Sequence, residues 1–311
     1  MNDLFSSLAG LAEVREAEPL ASHTTFHIGG PCDAMIFPES PEVLADIVRL
    51  CREEDVPFFI LGKGSNVLVA DSGIRGLVIA TERLQRLVVD GTRVTASAGL
   101  SLINVSKATA ELGLSGLEFA SGIPGSIGGA CYMNAGAYGG EMKDVITSVT
   151  VLDDSGLIRE IPAAEMDFRY RHSRLKDEAL VCLAVTMQLA HGDKREILDT
   201  IRDLTARRAD KQPLDLASAG STFKRPPGHF AGPLIIDAGM QGYRIGGAQV
   251  STKHAGFLVN TGGATADDVI RLIHEVQTAV LRKFGVRLET EVRFIGEWDS
   301  HPLYHDIMKV E

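Results

Sequence analysis

The strongest constraint on this chain is a glycine-rich segment, SGIPGSIGGACYMNAGAYGG at residues 121–140, which holds seven glycines. Glycine loses more conformational freedom on folding than any other residue, so this density is costly unless the backbone must turn sharply or approach another group closely. The spacing fails the G-x-G-x-x-G pattern, so a Rossmann helix with a dinucleotide at its start is not predicted. Glycine content alone favours a tight turn or bulge.

A second glycine-rich loop, Gly62-Lys63-Gly64-Ser65-Asn66, follows directly after a predicted strand at residues 57–61. Backbone N–H groups freed by glycine can form an anion-binding nest, where a phosphate can rest. The loop is not a P-loop, because Gly64 stands where Ser or Thr should follow the lysine. Two such loops without a Rossmann match favour a diphosphate cofactor held by a different fold.

Composition excludes several classes of protein. With 311 residues and 45% hydrophobic content, the chain can bury a substantial core and form two or three domains. The formal charge of −10, without clustered Lys and Arg, argues against a nucleic-acid partner. Four scattered cysteines with no C-x-x-C pair predict neither a metal site nor a disulfide framework, and they fit a reducing compartment.

The sequence shows neither a signal peptide nor a run of roughly 20 apolar residues, the length a transmembrane helix needs. We therefore expect a cytoplasmic protein with no membrane association. No obligate protein partner is indicated.

Local patterns predict a mixed α and β chain. Strands at 33–37, 57–61 and 77–81, with a helix capped by Ser40 and begun by Pro41, predict a β-α-β unit. The next region is strand-rich, with strands at 86–90, 94–98, 145–153 and 180–190. One helix, from Ser101 to Gly113, interrupts it, with Leu102, Ile103, Val105 and Leu112 as its predicted inner face.

The C-terminal part shows a helix at about 193–208 and then a turn at Lys211-Gln212-Pro213, which we interpret as a domain boundary. A capping box at Thr265 and Asp268 predicts a long helix that ends at Gly285. Its predicted inner face comprises Val269, Ile273, Val276, Val280 and Phe284. Alternation over 286–295 predicts a strand with one charged face. The predicted division is 1–83, 84–210, 211–301 and a tail at 302–311.

The two glycine-rich loops together resemble the FAD-binding module of the vanillyl-alcohol-oxidase/p-cresol-methylhydroxylase type. More narrowly, the chain resembles the UDP-N-acetylenolpyruvoylglucosamine reductase family, from Thr24-Thr25-Phe26-His27-Ile28-Gly29-Gly30 to Glu291-Val292-Arg293-Phe294. The resemblance implies an α+β fold, with a two-subdomain FAD-binding module and a smaller α+β substrate-binding domain. It also implies bound FAD, NADPH as co-substrate and a sugar nucleotide substrate in peptidoglycan precursor synthesis.

The resemblance further implies that the two loops hold the diphosphate of FAD. The predicted cofactor-binding residues are Gly62, Lys63, Gly64, Ser65, Asn66, Gly122, Ile123, Pro124, Gly125, Ser126, Gly128 and Gly129.

Three residues match catalytic motifs of that family. Phe168-Arg169-Tyr170-Arg171-His172-Ser173 resembles a Tyr-Arg-x-Ser motif, which makes Arg171 the cation that holds the substrate carboxylate. Ser221, in a Gly-Ser-x-Phe segment, is by resemblance the proton donor, and Glu291 the carboxylate that assists it. Glu289 is the second choice. Without the resemblance these residues suggest a surface arginine, a turn serine and a solvated glutamate.

Lys211, Lys224 and His254 are the predicted substrate-binding residues, and the glycine-rich loop at 242–251 is a further candidate for contacts with uridine diphosphate. His254 by itself suggests a packed, hydrogen-bonded residue rather than a catalytic one. The chain departs from the commonest family pattern at Thr222 and Arg225. Residues 172–210 contain no tyrosine, so the chain resembles the shorter subclass that lacks a tyrosine-bearing substrate clamp.

Two alternatives stay open from the sequence. Another FAD-dependent oxidoreductase on the same scaffold, such as a hydroxy-acid or alcohol oxidase, has the same loops. A nucleotide-binding regulatory module without chemistry has the loops but needs no proton donor at Ser221.

Overall fold

A computed structural model describes residues 7–309. Its strands are β1 (Glu13–Glu16), β2 (Cys32–Phe37), β3 (Phe58–Leu61), β4 (Val67–Val69), β5 (Ile74–Ala80), β6 (Leu87–Asp90), β7 (Arg93–Ser97), β8 (Leu114–Ser115), β9 (Gly136–Ala137), β10 (Gly140–Glu141), β11 (Ile146–Leu152), β12 (Ile158–Pro162), β13 (Val181–Gln188), β14 (Ala190–His191), β15 (Ala217–Ser221), β16 (Arg244–Ile245), β17 (Ala248–Val250), β18 (Phe257–Asn260) and β19 (Arg293–Ile295). Its α-helices are α1 (Pro41–Glu53), α2 (Leu102–Glu111), α3 (Ile127–Tyr132), α4 (Lys194–Lys211), α5 (Ala231–Asp237), α6 (Ala266–Phe284) and α7 (Tyr304–Met308). No helix in the described range combines the length and the apolar character that a bilayer span requires.

The chain divides into two compact units, each drawn from three stretches of sequence. The first unit takes its described residues from Met1–Glu16, Ala34–Lys63 and Gly76–Arg208. The second takes them from Ala17–Asp33, Gly64–Arg75 and Ala209–Glu311. The predicted borders at 83/84, 210/211 and 301/302 stay a prediction.

The strands and the helix predicted for a β-α-β unit are present, as β2, α1, β3 and β5. Strands β3 and β5 pair in parallel within a sheet of order β1-β2-β5-β3. Helix α1 begins as predicted, because the Ser40 side chain accepts a hydrogen bond from the Val43 amide and Pro41 occupies the first turn. Its apolar face is buried against this sheet through Leu44, Ile47, Val48 and Cys51.

A second, antiparallel sheet of the first unit has the order β12-β11-β13-β7-β6. Four of its five strands, β6, β7, β11 and β13, match those predicted between residues 86 and 190, whereas β12 was not predicted. The inner face predicted for α2 is correct for the buried Leu102 and Val105, while Ile103 is half-buried. The prediction is wrong for Leu112, which is 59% exposed because the helix ends one residue earlier, at Glu111.

The second unit is built on a sheet of order β15-β18-β17-β16, with α6 packed beside it in the same core. The predicted capping box is confirmed: Thr265 Oγ1 accepts from the Asp268 amide at 3.1 Å, and Asp268 Oδ2 accepts from the Thr265 amide at 3.2 Å. Gly285 ends the helix with φ of 68°. The predicted inner face is buried except at Phe284, which is 37% exposed at the last helical position.

The strand predicted over 286–295 is wrong for most of its length. Only β19 is a strand, and it pairs in parallel with β4, while Thr290 forms a single bridge with Phe223. The alternation reflects one buried and one open face, but a ladder also requires a continuous neighbour. Within residues 286–295 the neighbouring backbone changes: Thr290 pairs with Phe223, just after β15, whereas residues 293–295 pair with β4.

Candidate active site

The first residues of the shorter glycine-rich loop, Gly62 and Lys63, belong to the first unit together with the longer segment, and Gly62 contacts that segment. A Cβ atom on Gly62 would overlap the hydroxyl oxygen of Ser126. That hydroxyl caps α3, since it accepts a hydrogen bond from the Gly129 amide at 3.2 Å. Glycine at 62 is therefore required by close contact between the loops, which the sequence did not reveal.

The longer glycine-rich segment contains regular structure. Helix α3 begins after Ser126, and β9 and β10 form a hairpin whose turn residues Tyr138 and Gly139 have φ of 54° and 89°. Gly128 is packed against the backbone, because its amide donates to Ala98 O at 2.9 Å and an added Cβ would lie 2.9 Å from the Ala98 Cβ. Part of the glycine density thus serves packing, and the cofactor role of Gly128 stays a prediction.

The loops also present amides suited to a phosphate. Across residues 7–309, no hydrogen-bond acceptor is found for the amides of Lys63, Gly125 and Ser126, and Ser126 is buried. A buried amide without an acceptor is rare and costly in folded proteins. Phosphate oxygens are suitable acceptors for such N–H groups, so this part of the first unit fits the diphosphate of FAD.

Arg171 lies at the tip of a tight hairpin in the first unit. Arg169 and His172 form an antiparallel bridge, with reciprocal backbone hydrogen bonds at 3.2 and 3.1 Å. Arg171 has φ of 54°, a conformation that non-glycine residues rarely adopt and that clusters at functional sites. Its guanidinium carbon lies 5.1 Å from the ring centre of Tyr170, which is itself 52% exposed.

Two buried polar residues hold this hairpin in place. The Asn134 side chain is fully buried; it donates to Arg169 O at 3.0 Å and to Glu141 Oε2 at 2.6 Å, and accepts from the Lys143 amide at 2.9 Å. Ser173 Oγ donates to Tyr132 O at 2.8 Å and is fully buried. Neither support is recognisable from a local sequence pattern, since their partners lie up to 41 residues away in the chain.

Ser221 and Glu291 are brought together within the second unit. Ser221 ends β15, and the next residue, Thr222, accepts a hydrogen bond from the Glu291 amide at 2.8 Å through its carbonyl oxygen. Asn66 Nδ2 donates to Glu291 O at 3.2 Å, so a predicted cofactor residue also fixes the backbone of a predicted catalytic one. Arg171 belongs to the first unit.

Glu289 and Lys224 form an ion pair that the sequence analysis did not predict. Lys224 Nζ lies 2.8 Å from Glu289 Oε2, and the Lys224 amide donates to Glu289 O at 2.8 Å. The pair is partly exposed, with 40% and 38% of the two side chains accessible. The carboxylate of Glu289, the second choice for the catalytic acid, is therefore engaged by a lysine.

The other predicted substrate residues have mixed surroundings. His254 Nδ1 accepts from the Gly256 amide at 3.2 Å, its ring packs edge-on against Phe257 at 4.9 Å, and burial lowers its pKa from the usual value. These contacts fit the packed histidine that the sequence also suggested. Lys211 is the exposed last residue of α4.

In the 242–251 loop, Gly246 is needed because the backbone passes close to the Asp268 side chain. A Cβ on Gly246 would overlap the Asp268 carboxylate, and the Gly247 amide donates to Asp268 Oδ2 at 3.0 Å. The proposed contacts with uridine diphosphate there stay a prediction.

Comparison with known proteins establishes the family. A model of the FAD binding domain matches residues 32–162, and a model of the UDP-N-acetylenolpyruvoylglucosamine reductase C-terminal domain matches residues 212–295. UDP-N-acetylenolpyruvoylglucosamine reductase of Limosilactobacillus fermentum is 52% identical over 284 residues, covering 91% of this chain and 95% of that protein. The enzyme of Caldanaerobacter subterraneus subsp. tengcongensis is 49% identical over 280 residues, covering 90% and 93%.

A solved structure agrees. The crystal structure of UDP-N-acetylenolpyruvylglucosamine reductase from Thermus caldophilus superposes with a TM-score of 0.78 at 34% identity, covering 91% of this chain and 98% of that one. The predicted fold, an FAD-binding module of the vanillyl-alcohol-oxidase/p-cresol-methylhydroxylase type joined to the family's C-terminal domain, is confirmed, and so is FAD as the cofactor. By sequence, domain content and fold, this chain belongs to the UDP-N-acetylenolpyruvoylglucosamine reductase family.

Proposed function

We propose that this protein reduces UDP-N-acetylglucosamine enolpyruvate to UDP-N-acetylmuramate, with NADPH as the reductant, in peptidoglycan precursor synthesis. The observation that carries the proposal is about 50% identity to reductases of this name over nine-tenths of the chain. The residues of the two glycine-rich loops would hold FAD, which when bound would supply the hydride-transfer chemistry between NADPH and the enol ether.

The protein's own residues manage the charge and the proton. As hydride adds to the terminal carbon, negative charge develops towards the substrate carboxylate, and a cation must stabilise it. Arg171 is the proposed cation, since its planar guanidinium can hold a carboxylate in a bidentate way. Its strained backbone, held by Asn134 through Arg169, supports a role that requires a fixed position.

Ser221 is the proposed donor of the proton to the adjacent carbon, and Glu291 the carboxylate that assists it. A serine hydroxyl is a weak acid, so it depends on position and on a neighbouring proton relay. The hydrogen bond between the Glu291 amide and Thr222 O supports this pairing, because it fixes Glu291 beside the residue that follows Ser221.

Lys224 and His254 are the proposed contacts for the anionic sugar nucleotide, with Lys211 as a further candidate. Because His254 Nδ1 accepts a hydrogen bond, the neutral ring carries its proton on Nε2, which can donate to a substrate oxygen. Lys224 is held beside the proposed acid pair by Glu289.

We place the reaction in the cytoplasm. The location fits a substrate that is a sugar nucleotide, and it fits four cysteines that are all unpaired.

Stopped-flow kinetics tests the proposal by separating the two half-reactions. Ser221→Ala should leave reduction of the bound flavin by NADPH within about 3-fold of wild type and slow reduction of the enolpyruvyl substrate by roughly 100-fold or more. Ser218→Ala, on the same strand, is the matched control and should leave both half-reactions unchanged.

Two results would contradict the proposal. One is a wild-type rate of substrate reduction in Ser221→Ala, because this variant lacks the proposed proton donor. The other is rapid oxygen consumption with a small alcohol and no turnover of the enolpyruvyl substrate, which would support the oxidase alternative.

A further inference from the structure

Arg208, near the end of α4, is a cation without an evident partner inside the first unit. Its side chain lies over the longer glycine-rich segment, where a Cβ on Gly122 would be 2.8 Å from the Arg208 Cδ. Its Nε is buried, and no hydrogen-bond acceptor for it exists among the described residues. Burial lowers the pKa of the guanidinium, although the nearby Tyr138 hydroxyl acts in the opposite sense.

The neighbouring Arg207 shows what an ordinary arginine of this helix does. It is 60% exposed, and its guanidinium lies 2.8 Å from the Asp203 carboxylate one turn earlier. Such a pair on a helix surface contributes little to stability. Arg208 differs because it is half-buried and its Nε is fully enclosed without an acceptor among the described residues, so a solvated helix face does not account for it.

A second hydrogen-bond donor without an acceptor is Ser121, which directly precedes Gly122 in the chain. Ser121 is 3% exposed, and its hydroxyl has no hydrogen-bond partner in the described part of the chain. Leaving a buried donor atom unpaired costs free energy, and the cost is higher when the donor belongs to a charged group, as Arg208 Nε does. Two such donors at one loop indicate a ligand that carries acceptor oxygens and negative charge.

We propose that Arg208 and Ser121 bind the diphosphate of FAD, beyond the backbone amides of the two glycine-rich loops. FAD offers two anionic groups: the diphosphate, which is always charged, and the flavin ring, which gains charge only after reduction. The enclosed Nε of Arg208 needs an acceptor in the resting enzyme as well, which favours the diphosphate. The guanidinium fork matches two phosphate oxygens, and the Ser121 hydroxyl donates to a third acceptor.

The inference rests on FAD binding and not on the identity of the substrate, so it is tested without any substrate. Apo-protein is prepared by flavin removal, and binding of FAD and of riboflavin, which lacks the diphosphate, is measured by flavin fluorescence. Arg208→Met should raise the dissociation constant for FAD about 10- to 100-fold and leave that for riboflavin within about 2-fold, since charged hydrogen bonds are lost only with the diphosphate. Ser121→Ala should raise the FAD constant several-fold in the same selective way.

Arg207→Met is the matched control and should change neither constant. Arg208→Lys keeps the charge but not the fork, so its FAD affinity should fall between those of wild type and Arg208→Met. The urea unfolding midpoint of the apo-protein shows whether each variant still folds. Arg208→Met should match or exceed the wild-type midpoint, because it removes an enclosed donor atom that has no acceptor in the apo-protein.

Three outcomes overturn the proposal. Unchanged FAD affinity in Arg208→Met means that the guanidinium does not contact the cofactor. Equal loss of FAD and riboflavin affinity, together with a lowered flavin reduction potential, assigns Arg208 to the flavin ring. A large drop in the apo-protein midpoint assigns it to the fold.

Discussion

Gly64, in the shorter glycine-rich loop, meets two independent demands at one position. Its φ is 59°, and a Cβ would overlap the carbonyl oxygen of His23 and lie 2.8 Å from the Thr24 Cα. Left-handed backbone alone costs a non-glycine residue about 1–2 kcal/mol. An overlap with backbone adds to this, because backbone atoms cannot rotate away.

We expect Gly64→Ala to destabilise the protein by about 3 kcal/mol or more, measured by urea unfolding. Gly91 provides the control, since its φ is 56° but no atom lies within 4 Å of an added Cβ. Gly91→Ala should cost only about 1–2 kcal/mol. Equal losses in the two variants would show that the close approach at Gly64 contributes nothing.

Glu289 and Glu291 are two acidic residues with different surroundings. Glu289 is engaged by Lys224, while the backbone of Glu291 is fixed beside Ser221 by Thr222 and Asn66. Glu291→Gln should slow reduction of the enolpyruvyl substrate by roughly 100-fold or more, as expected for loss of acid–base assistance. Glu289→Gln should slow it by less than about 5-fold. The measurement is the stopped-flow rate of flavin reoxidation at saturating enolpyruvyl substrate. A larger loss of rate in Glu289→Gln than in Glu291→Gln would assign the catalytic role to Glu289.

At the scale of elements, the hairpin around Arg171 depends on Asn134. If Asn134 acts by fixing Arg171, its loss should matter only while Arg171 is present. Asn134→Ala should reduce kcat by about 10-fold or more, with less effect on flavin reduction by NADPH, and Arg171→Ala should reduce kcat further. The double variant should then be no slower than Arg171→Ala, which is the signature of residues that act as a unit.

The same comparison separates a positioning role from a structural one. Asn134→Ala leaves the Glu141 and Arg169 acceptors and the Lys143 amide without their partner, so unfolding in urea should also show a loss of about 1–3 kcal/mol. A loss of stability with kcat unchanged at a temperature where the variant is folded would leave Asn134 with a structural role alone.

Elements with local signals were predictable from sequence, and those defined by distant partners were not. Helix α6 was found because Thr265, Asp268 and Gly285 mark its ends within the helix itself. Asp71, which accepts hydrogen bonds from the Ala266 and Asp267 amides at 2.8 and 3.0 Å, was missed because it lies 195 residues earlier. The error at 286–295 has the same origin, since alternation reports a buried face but not which backbone pairs with it.

Asp71 therefore supplies a second cap to α6 from outside the helix. Its carboxylate satisfies two of the amides that a helix start leaves unpaired, and its charge is favourable at this end. Asp71→Ala should destabilise the protein by about 1–2 kcal/mol in urea unfolding, comparable with Thr265→Ala. A change below about 0.3 kcal/mol would mean that water replaces the carboxylate fully.

At the scale of the whole molecule, the chain order hides the grouping of residues. The second unit gathers 17–33 and 64–75 with the C-terminal third, and β4 pairs with β19 across 226 residues. No local pattern indicates such an assembly, so the motifs predicted the family and the cofactor but not the contact of Gly62 with Ser126 or the approach of Arg208 to Gly122. These depend on three-dimensional proximity that only the fold supplies.

Unsatisfied donors in the first unit also predict how the molecule responds to loss of FAD. A ligand that binds only the folded state stabilises it by about 2.7 kcal/mol at 100 times its dissociation constant. For a chain of this size that corresponds to about 4 °C in the thermal midpoint, so apo-protein followed by far-UV circular dichroism should melt that much earlier than protein saturated with FAD. Riboflavin should recover only part of the shift, because it cannot reach the amides of Lys63, Gly125 and Ser126 with phosphate oxygens. Full recovery with riboflavin would place the stabilising contacts on the flavin ring and leave those amides without a role in binding.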